Sequence, residues 1–131
     1  MKYLLHTDTL IDCILGINET RQRVYALIEQ GDEVALCPIT VAELYSGMTE
    51  KRRTNWESWL KALSYWHISI MAAMRAGGYR KAASKSGRTI PVTDALLAAI
   101  AHENDATLLT SNIKDYPMKD IRVLSLREEA A

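Results

Sequence analysis

The sequence predicts a three-layer α/β/α sandwich around a central, mostly parallel sheet of four to five strands. Short apolar runs bounded by turn residues alternate with longer segments of helical periodicity, a pattern typical of parallel strands joined by crossover helices. The 131 residues are the size of one ordinary domain, and a hydrophobic content of 48% is sufficient for a packed core. We therefore expect a single domain over residues 1–131.

The predicted strands are short apolar runs. The first covers residues 3–5 and ends at the polar residues His6, Thr7 and Asp8. Three further strands are predicted at residues 34–37, 107–110 and 121–124, the last of them near an edge of the sheet. A shorter candidate lies at residues 67–70. Uninterrupted apolar runs of this length are typical of strands that are buried on both faces.

The predicted helices lie between these strands. The first begins at Leu10, and the second covers residues 21–30, where Gly31 ends it. Further helices are predicted at residues 40–47, 53–64, 69–86 and 93–104. The glycine pair Gly77 and Gly78 is expected to weaken or kink the helix in which it lies. The helix at residues 93–104 is apolar on most faces and should be well buried.

The charge balance does not by itself indicate a nucleic-acid-binding protein, since 16 basic and 16 acidic residues give a net charge of zero. Their distribution is uneven, however. From Ser58 to Thr93 there is no acidic residue, while the same stretch contains Lys61, Arg75, Arg80, Lys81, Lys85 and Arg88. Such a stretch forms either a local basic face for a polyanion or an ordinary solvated helix surface.

Neither a membrane span nor a secretory signal is expected. No apolar run is long enough to cross a bilayer, and polar residues interrupt the N-terminal apolar stretch. Cys13 and Cys37 lie in apolar surroundings and lack the spacing of metal ligands. We expect them to be reduced core residues of a cytoplasmic protein.

Four acidic residues fall at the ends of strands or the starts of helices, namely Asp8, Glu43, Asp94 and Asp115. Each has a local structural explanation: an N-cap, a capping box with Thr40, the first turn of a helix, and a turn, respectively. However, the carboxyl ends of parallel strands meet at one rim, so the four carboxylates are expected to converge there. Crowded carboxylates repel one another, and a divalent cation such as Mg²⁺ or Mn²⁺ relieves that repulsion. Acids beside a basic face therefore indicate a metal-dependent phosphodiesterase.

Four stretches carry a family resemblance when they are taken together and in order: residues 3–12, 39–47, 90–101 and 107–116. With them the chain resembles PIN-domain nucleases, and most closely the VapC-type toxins of bacterial toxin–antitoxin pairs. The resemblance implies a PIN-like fold and a Mg²⁺- or Mn²⁺-dependent endoribonuclease. It also implies an RNA substrate, a cognate antitoxin protein as partner, and a homodimer.

The resemblance also assigns roles to particular residues. The acids that form the metal-binding cup of the family match Glu43, Asp94 and Asp115. The polar residues that support the last acid match Thr110 and Asn112.

The chain departs from the family pattern at position 6, where the first strand of the family ends in an aspartate that binds the metal ion. His6 lacks that negative charge, its imidazole is a poor Mg²⁺ ligand, and its ring is large enough to occupy the place of the ion. Beside three acids it could also be protonated and act as a counter-cation. We therefore expect weak or absent magnesium-dependent cleavage, with the neighbouring Asp8 as a partial substitute ligand.

Several alternatives remain open at this point. His6 is an introduced or selected inactivating change, a natural adaptation to a softer metal, or a mark of a natural inactive relative. The main alternative function is a PIN-fold protein that binds antitoxin, RNA or both without cleaving. The helix around Trp56 and Trp59 is a candidate antitoxin contact, or else part of the core.

Arginine and lysine side chains from the acid-free stretch are the candidate contacts to the RNA backbone. They are Arg75, Arg80, Lys81, Lys85 and Arg88. Unpaired RNA is the expected substrate, because the major groove of an RNA duplex hides its base edges from side chains.

Overall fold

The computed structural model describes residues 1–58 and 60–127, which contain five strands and six helices. The strands are β1 (Lys2–Leu5), β2 (Glu33–Leu36), β3 (Ser64–Tyr65), β4 (Thr107–Leu109) and β5 (Arg122–Leu124). The helices are α1 (Thr7–Leu15), α2 (Thr20–Glu29), α3 (Pro38–Gly47), α4 (Glu50–Glu57), α5 (Ile70–Lys85) and α6 (Val92–Glu103). Short 3₁₀ turns lie at Leu60–Ala62 and Ile113–Asp115.

The strands form one sheet in the order β3-β2-β1-β4-β5, and all four pairings are parallel. At the centre, Leu4 of β1 is in register with Ala35 of β2 and with Leu108 of β4, and all three side chains are completely buried. The run predicted near an edge is the edge strand β5. The predicted α/β/α sandwich with a parallel sheet is therefore confirmed.

Helices cover both faces of the sheet. On one face, α1 to α4 bury a cluster that includes Leu5, Leu10, Val24, Leu44 and Trp56. On the other face, α6 buries a second cluster, which includes Leu4, Leu97, Ile100, Leu108 and Tyr116, and α5 packs against α6. The polar residues that follow β1 lie beyond its carboxyl end, and they are therefore at the rim of the sheet.

The aromatic segment contributes to this core. The Trp56 side chain is 1% exposed, so the core interpretation is confirmed for that residue and the antitoxin-contact interpretation is wrong for it. Trp59 lies outside the described residues.

The segment predicted as one helix at residues 53–64 divides into separate elements. α4 begins at Glu50 and ends at Glu57, whereas Ser64 and Tyr65 form β3 beside β2. The strand predicted at residues 67–70 is therefore wrong, since the pairing with β2 ends where the Trp66 N–H donates to the Leu36 carbonyl at 2.9 Å. Within that predicted strand, Ser69 instead caps α5 by accepting a hydrogen bond from the backbone N–H of Ala72.

One local prediction on a helix is also wrong. α3 begins at Pro38, a residue suited to the first helical position, so Thr40 lies inside the helix and does not form a capping box with Glu43. The buried Thr40 hydroxyl instead donates to the Leu5 carbonyl at 2.8 Å, which joins α3 to the end of β1. α5 continues without a break through Gly77 and Gly78, at neither of which a Cβ would meet another group within 4 Å.

Cys13 and Cys37 are both fully buried, as expected of core residues. Within the described ranges, no helix combines the length and the apolar character that crossing a membrane requires.

Candidate active site at the carboxyl rim of the sheet

His6 directly follows β1 and is the N-cap residue of α1, which begins earlier than predicted, at Thr7. The His6 backbone N–H donates to the Leu109 carbonyl at 3.0 Å, which holds the end of β1 against the end of β4. Nδ1 of the half-buried ring lies 2.7 Å from Oδ1 of Asp8, and Nε2 lies 3.9 Å from Oδ1 of Asp94. The imidazole therefore lies between two of the acids that were expected to surround a cation.

Asp8 lies in the first turn of α1 and is not the predicted N-cap. Its Oδ1 also accepts the Thr9 N–H at 2.7 Å. Its Oδ2 accepts hydrogen bonds from the Thr110 hydroxyl at 3.1 Å, the Ser111 N–H at 2.9 Å, the Ser111 hydroxyl at 2.5 Å and the Asn112 amide at 3.2 Å. Both oxygens are thus engaged by protein donors, and Asp8 ties the start of α1 to the loop after β4.

Thr110 and Asn112 were expected to support the last acid, Asp115, but their side chains bind a different acid. Both side chains donate to Asp8, whereas the backbone carbonyl of Asn112 accepts the Asp115 N–H at 3.0 Å. Sequence reasoning missed Ser111, which donates to Asp8 through both its backbone and its side chain. The Thr-Ser-Asn run after a buried strand could have indicated this role, since three consecutive hydrogen-bond donors at the end of a strand are suited to bind a carboxylate.

Asp94 lies in the first turn of α6, as predicted. Its Oδ1 accepts a hydrogen bond from the Tyr116 hydroxyl at 3.2 Å. The Tyr116 side chain is 6% exposed, and its ring meets the His6 ring edge-on with centroids 6.1 Å apart. Sequence reasoning missed Tyr116, although its position next to Asp115 was a usable signal.

Glu43 and Asp115 lie on either side of these residues. Glu43 extends from α3, and its Oε1 accepts the Thr7 hydroxyl at 2.7 Å, a contact that sequence reasoning did not anticipate. Asp115 ends the second 3₁₀ turn and, together with Asp94, lines a cavity of about 150 Å³. All four predicted acids therefore lie at the carboxyl rim of the sheet.

The electrostatics of His6 and Asp8 favour a charged pair. Burial acts to lower the pKa of His6, but the hydrogen bond with Asp8 and the charges of Asp8, Asp94 and Glu43 outweigh it and raise the pKa above its usual 6.5. Burial acts to raise the pKa of Asp8, but hydrogen bonds from His6 and Ser111 outweigh it and hold that pKa well below its usual range.

Asp94 shifts in the opposite direction from Asp8. Burial and the nearby charges of Asp115 and Glu43 raise the pKa of Asp94 by more than Tyr116 and His6 lower it. Burial, together with Asp94, also raises the pKa of Tyr116, so its hydroxyl remains a donor.

The divalent cation that the resemblance implies does not fit these side chains as they stand. Among residues 1–58 and 60–127, no three His, Cys, Asp or Glu side chains are close enough to hold one ion. The His6 ring lies between Asp8 and Asp94, imidazole is a poor ligand for Mg²⁺, and both oxygens of Asp8 already accept several hydrogen bonds. The raised pKa of His6 favours the protonated ring, whose charge offsets that of the neighbouring carboxylates.

The candidate RNA contacts separate into two groups. Arg75 pairs with Asp120 at 3.2 Å, and Asp120 also lies 3.6 Å from His102, at the end of α6 opposite to Asp94. Arg88 borders the cavity that contains Asp94 and Asp115 and donates to the Lys114 carbonyl, while Arg80 and Lys81 line an adjoining cavity. Lys85 is exposed and lines neither cavity.

Comparisons with known proteins show the family to which the chain belongs. The PIN domain family matches residues 3–121. Ribonuclease VapC10 of Mycobacterium tuberculosis is 30% identical over 116 residues, which are 88% of this chain and 86% of that protein. Ribonuclease VapC19 of the same organism is 29% identical over 115 residues, 88% of this chain and 92% of that protein.

Among solved structures, VapBC2 from Rickettsia felis bound to a promoter DNA fragment has a chain that superposes with a TM-score of 0.85 at 23% identity. The match covers 95% of this chain and 98% of that one, which shows a shared fold. The family match spans β2 to β4, most of β1 and every acid at the rim, and the chain therefore belongs to the PIN domain family.

Proposed function

We propose that this chain is a VapC-type endoribonuclease toxin of a type II toxin–antitoxin pair, acting on RNA in the cytoplasm, and that His6 makes its metal-dependent cleavage weak or absent. The single observation that carries the proposal is the gathering of Asp8, Glu43, Asp94 and Asp115 around the His6 ring at the carboxyl rim of the sheet. PIN-domain ribonucleases are generally dependent on divalent metal ions, and the curated relatives of this chain are named ribonucleases.

The residues at the rim receive separate roles in this proposal. Asp94, Asp115 and Glu43 are the acids that hold Mg²⁺ or Mn²⁺ once a carboxylate replaces His6. Asp8 is a positioning residue, since its carboxylate holds the loop after β4 in place. Tyr116 orients Asp94 through its 3.2 Å hydrogen bond.

The test compares RNA cleavage by the parent chain, by His6→Asp and by His6→Asn, each with Mg²⁺, with Mn²⁺ and with a chelator. The asparagine variant is the matched control, because it removes the ring and its charge but adds no carboxylate. We expect metal-dependent cleavage by His6→Asp, and little or none by the parent chain and by His6→Asn. Asp94→Asn in the His6→Asp background should abolish the gained activity.

Two other results would contradict separate parts of this proposal. Equal metal-dependent cleavage by the parent chain and His6→Asp would show that histidine is tolerated and would overturn the inactivation. Failure of every variant to cleave a broad panel of single-stranded RNAs would overturn the nuclease assignment.

A second candidate function is a PIN-fold protein that binds an antitoxin, RNA or both without cleaving. The observation that favours it is the pairing of both ring nitrogens of His6 with carboxylates, which satisfies the rim without a metal ion. The binding-only function is supported if the parent chain binds its antitoxin tightly while His6→Asp does not cleave RNA. The proposed antitoxin partner and homodimer are tested by co-purification of the cognate antitoxin and by sedimentation equilibrium of the isolated chain.

A further inference from the structure

A basic cavity adjoins two acids of the rim, the half-buried Asp94 and the exposed Asp115. It has a volume of about 310 Å³ and is lined by Arg80, Lys81, Ser84, Arg88, Thr89 and Ile90. The smaller cavity that contains Asp94 and Asp115 shares Arg88, Thr89 and Ile90 with it. The two cavities therefore form one continuous surface that is acidic at one end and basic at the other.

The basic end is held in place by backbone contacts. The Arg80 Nε donates to the Ile90 carbonyl at 2.9 Å, and the Arg88 guanidinium donates to the Lys114 carbonyl, next to Asp115. Each of these contacts engages one of the five donor hydrogens of its guanidinium. An arginine anchored in this way loses little conformational freedom when it binds an anion, and its planar fork suits phosphate oxygens.

The basic cavity itself contains no acidic side chain to offset its positive charge. Lys81 takes part in none of the ion pairs found in residues 1–58 and 60–127. No acidic side chain lines the basic cavity, and the sequence from Ser58 to Thr93 contains none. Two hydroxyl groups, of Ser84 and Thr89, add neutral hydrogen-bond donors to the three cations.

We propose that this cavity is a phosphate subsite for a single-stranded RNA, which takes a backbone phosphate of a strand that runs past the acidic end of the surface. The inference rests on the proposed function, because it assumes that RNA reaches the acidic end. A strand of RNA presents successive phosphates along one groove, and these two cavities share a wall. A volume of 310 Å³ lies within the range of small-ligand sites and leaves room for a nucleotide unit. The subsite includes Arg80, Lys81 and Arg88. Arg75 is not part of it and instead pairs with Asp120.

The test measures binding, so that it does not depend on cleavage. A fluorescent random-sequence RNA of about 12 nucleotides, a length that single-strand-binding folds cover, is titrated with the parent chain in the presence of a chelator. Lys81→Ala removes a cation of the cavity that makes no ion pair, and Lys85→Ala is the matched control on the same helix. We expect Lys81→Ala to weaken binding by about threefold to tenfold and to reduce the salt slope by about 0.7. Lys85→Ala should change both quantities less.

The results distinguish this subsite from the proposed nuclease function. Equal effects of Lys81→Ala and Lys85→Ala, or an absence of RNA binding by the folded parent chain, would overturn the subsite even if His6→Asp cleaves RNA. Loss of binding specific to Lys81→Ala would support it even if His6→Asp does not cleave. Polyglutamate serves as a competitor, and displacement of the RNA at the same charge concentration would indicate a general anion site and overturn the assignment to RNA.

Discussion

Nδ1 of His6 lies 2.7 Å from Oδ1 of Asp8, so the end of β1 is joined to the first turn of α1 by a hydrogen bond between the two side chains. The same carboxylate accepts four hydrogen bonds from residues 110–112. One histidine and one aspartate therefore connect β1, α1 and the loop after β4. The rim is organised around this pair, and its stability should depend on the charge of both members.

The His6–Asp8 pair makes the free energy of unfolding depend on pH. Because the pKa of His6 in the folded state is above its usual 6.5, its contribution is fully present below pH 6.5 and is lost as the pH rises through the raised value. Because the pKa of Asp8 is below its usual 3.8, its contribution is present above pH 3.8 and is lost as the pH falls. We expect the stability difference between the parent chain and His6→Asn to be largest from pH 3.8 to 6.5.

Urea unfolding across this pH range, in the presence of a chelator, measures the difference directly. His67→Asn is the control, since His67 is an exposed histidine in the segment between β3 and α5. A difference between the parent chain and His6→Asn that stays constant with pH would contradict the charged pair.

Asp8→Asn should destabilise the chain although it changes few atoms. The new amide has only one acceptor oxygen, so its NH₂ group faces either His6 and Thr9 or the donors of residues 110–112, and one of these two sets loses its acceptor. We expect a loss of about 2 kcal/mol in the free energy of unfolding, because strong charge-assisted bonds are lost and donors are left unpaired. Urea unfolding measures it, and Asp105→Asn is the control, since the Asp105 side chain is 94% exposed. Equal stability of the two variants would rule out a structural role for Asp8.

The sequence was sufficient to locate this rim but not its internal contacts. Apolar runs that end in polar residues predicted where β1 and β4 stop, and hence where His6, Asp8 and Thr110 meet. The partners of Thr110 and Asn112 were not predictable, because the direction of a side chain in a loop depends on the path of the backbone. Two-residue strands such as β3 also lack a sequence pattern, since Ser64 and Tyr65 form no apolar run and pair only at the edge of the sheet.

Arg127 anchors the end of the described chain to α1. Its Nε donates to Oδ2 of Asp12 at 2.8 Å, and its Nη2 donates to Oδ1 at 3.1 Å. The Asp12 side chain is 6% exposed, so Arg127→Met leaves a buried carboxylate without its main partner. We expect a loss of about 1–2 kcal/mol in the free energy of unfolding, reduced by the exposure of the arginine.

Arg122→Met is the matched control for this prediction. Arg122 pairs at 3.6 Å with the exposed Asp105 and also donates to the Thr107 hydroxyl and the Asp105 carbonyl, but it leaves no buried carboxylate behind, so its loss should cost less than that of Arg127. If thermal unfolding showed the same effect for both variants, the buried position of Asp12 would not determine the strength of its pair.

The His6→Asp variant should become dependent on metal ions for its stability. Without a cation, the substitution replaces the imidazole of the rim by another acid beside Asp94, whose pKa is already raised by burial and by repulsion from Asp115 and Glu43. We expect a lower Tm than that of the parent chain in a chelator. An ion that binds only the folded state should then raise the Tm by about 10 °C at a hundredfold excess over its Kd, whereas the parent chain should not respond. Differential scanning calorimetry with Mg²⁺ and with Mn²⁺ measures this shift, with His6→Asn as the control for loss of the ring. An equal shift in the parent chain would mean that His6 moves aside for the ion and does not replace it.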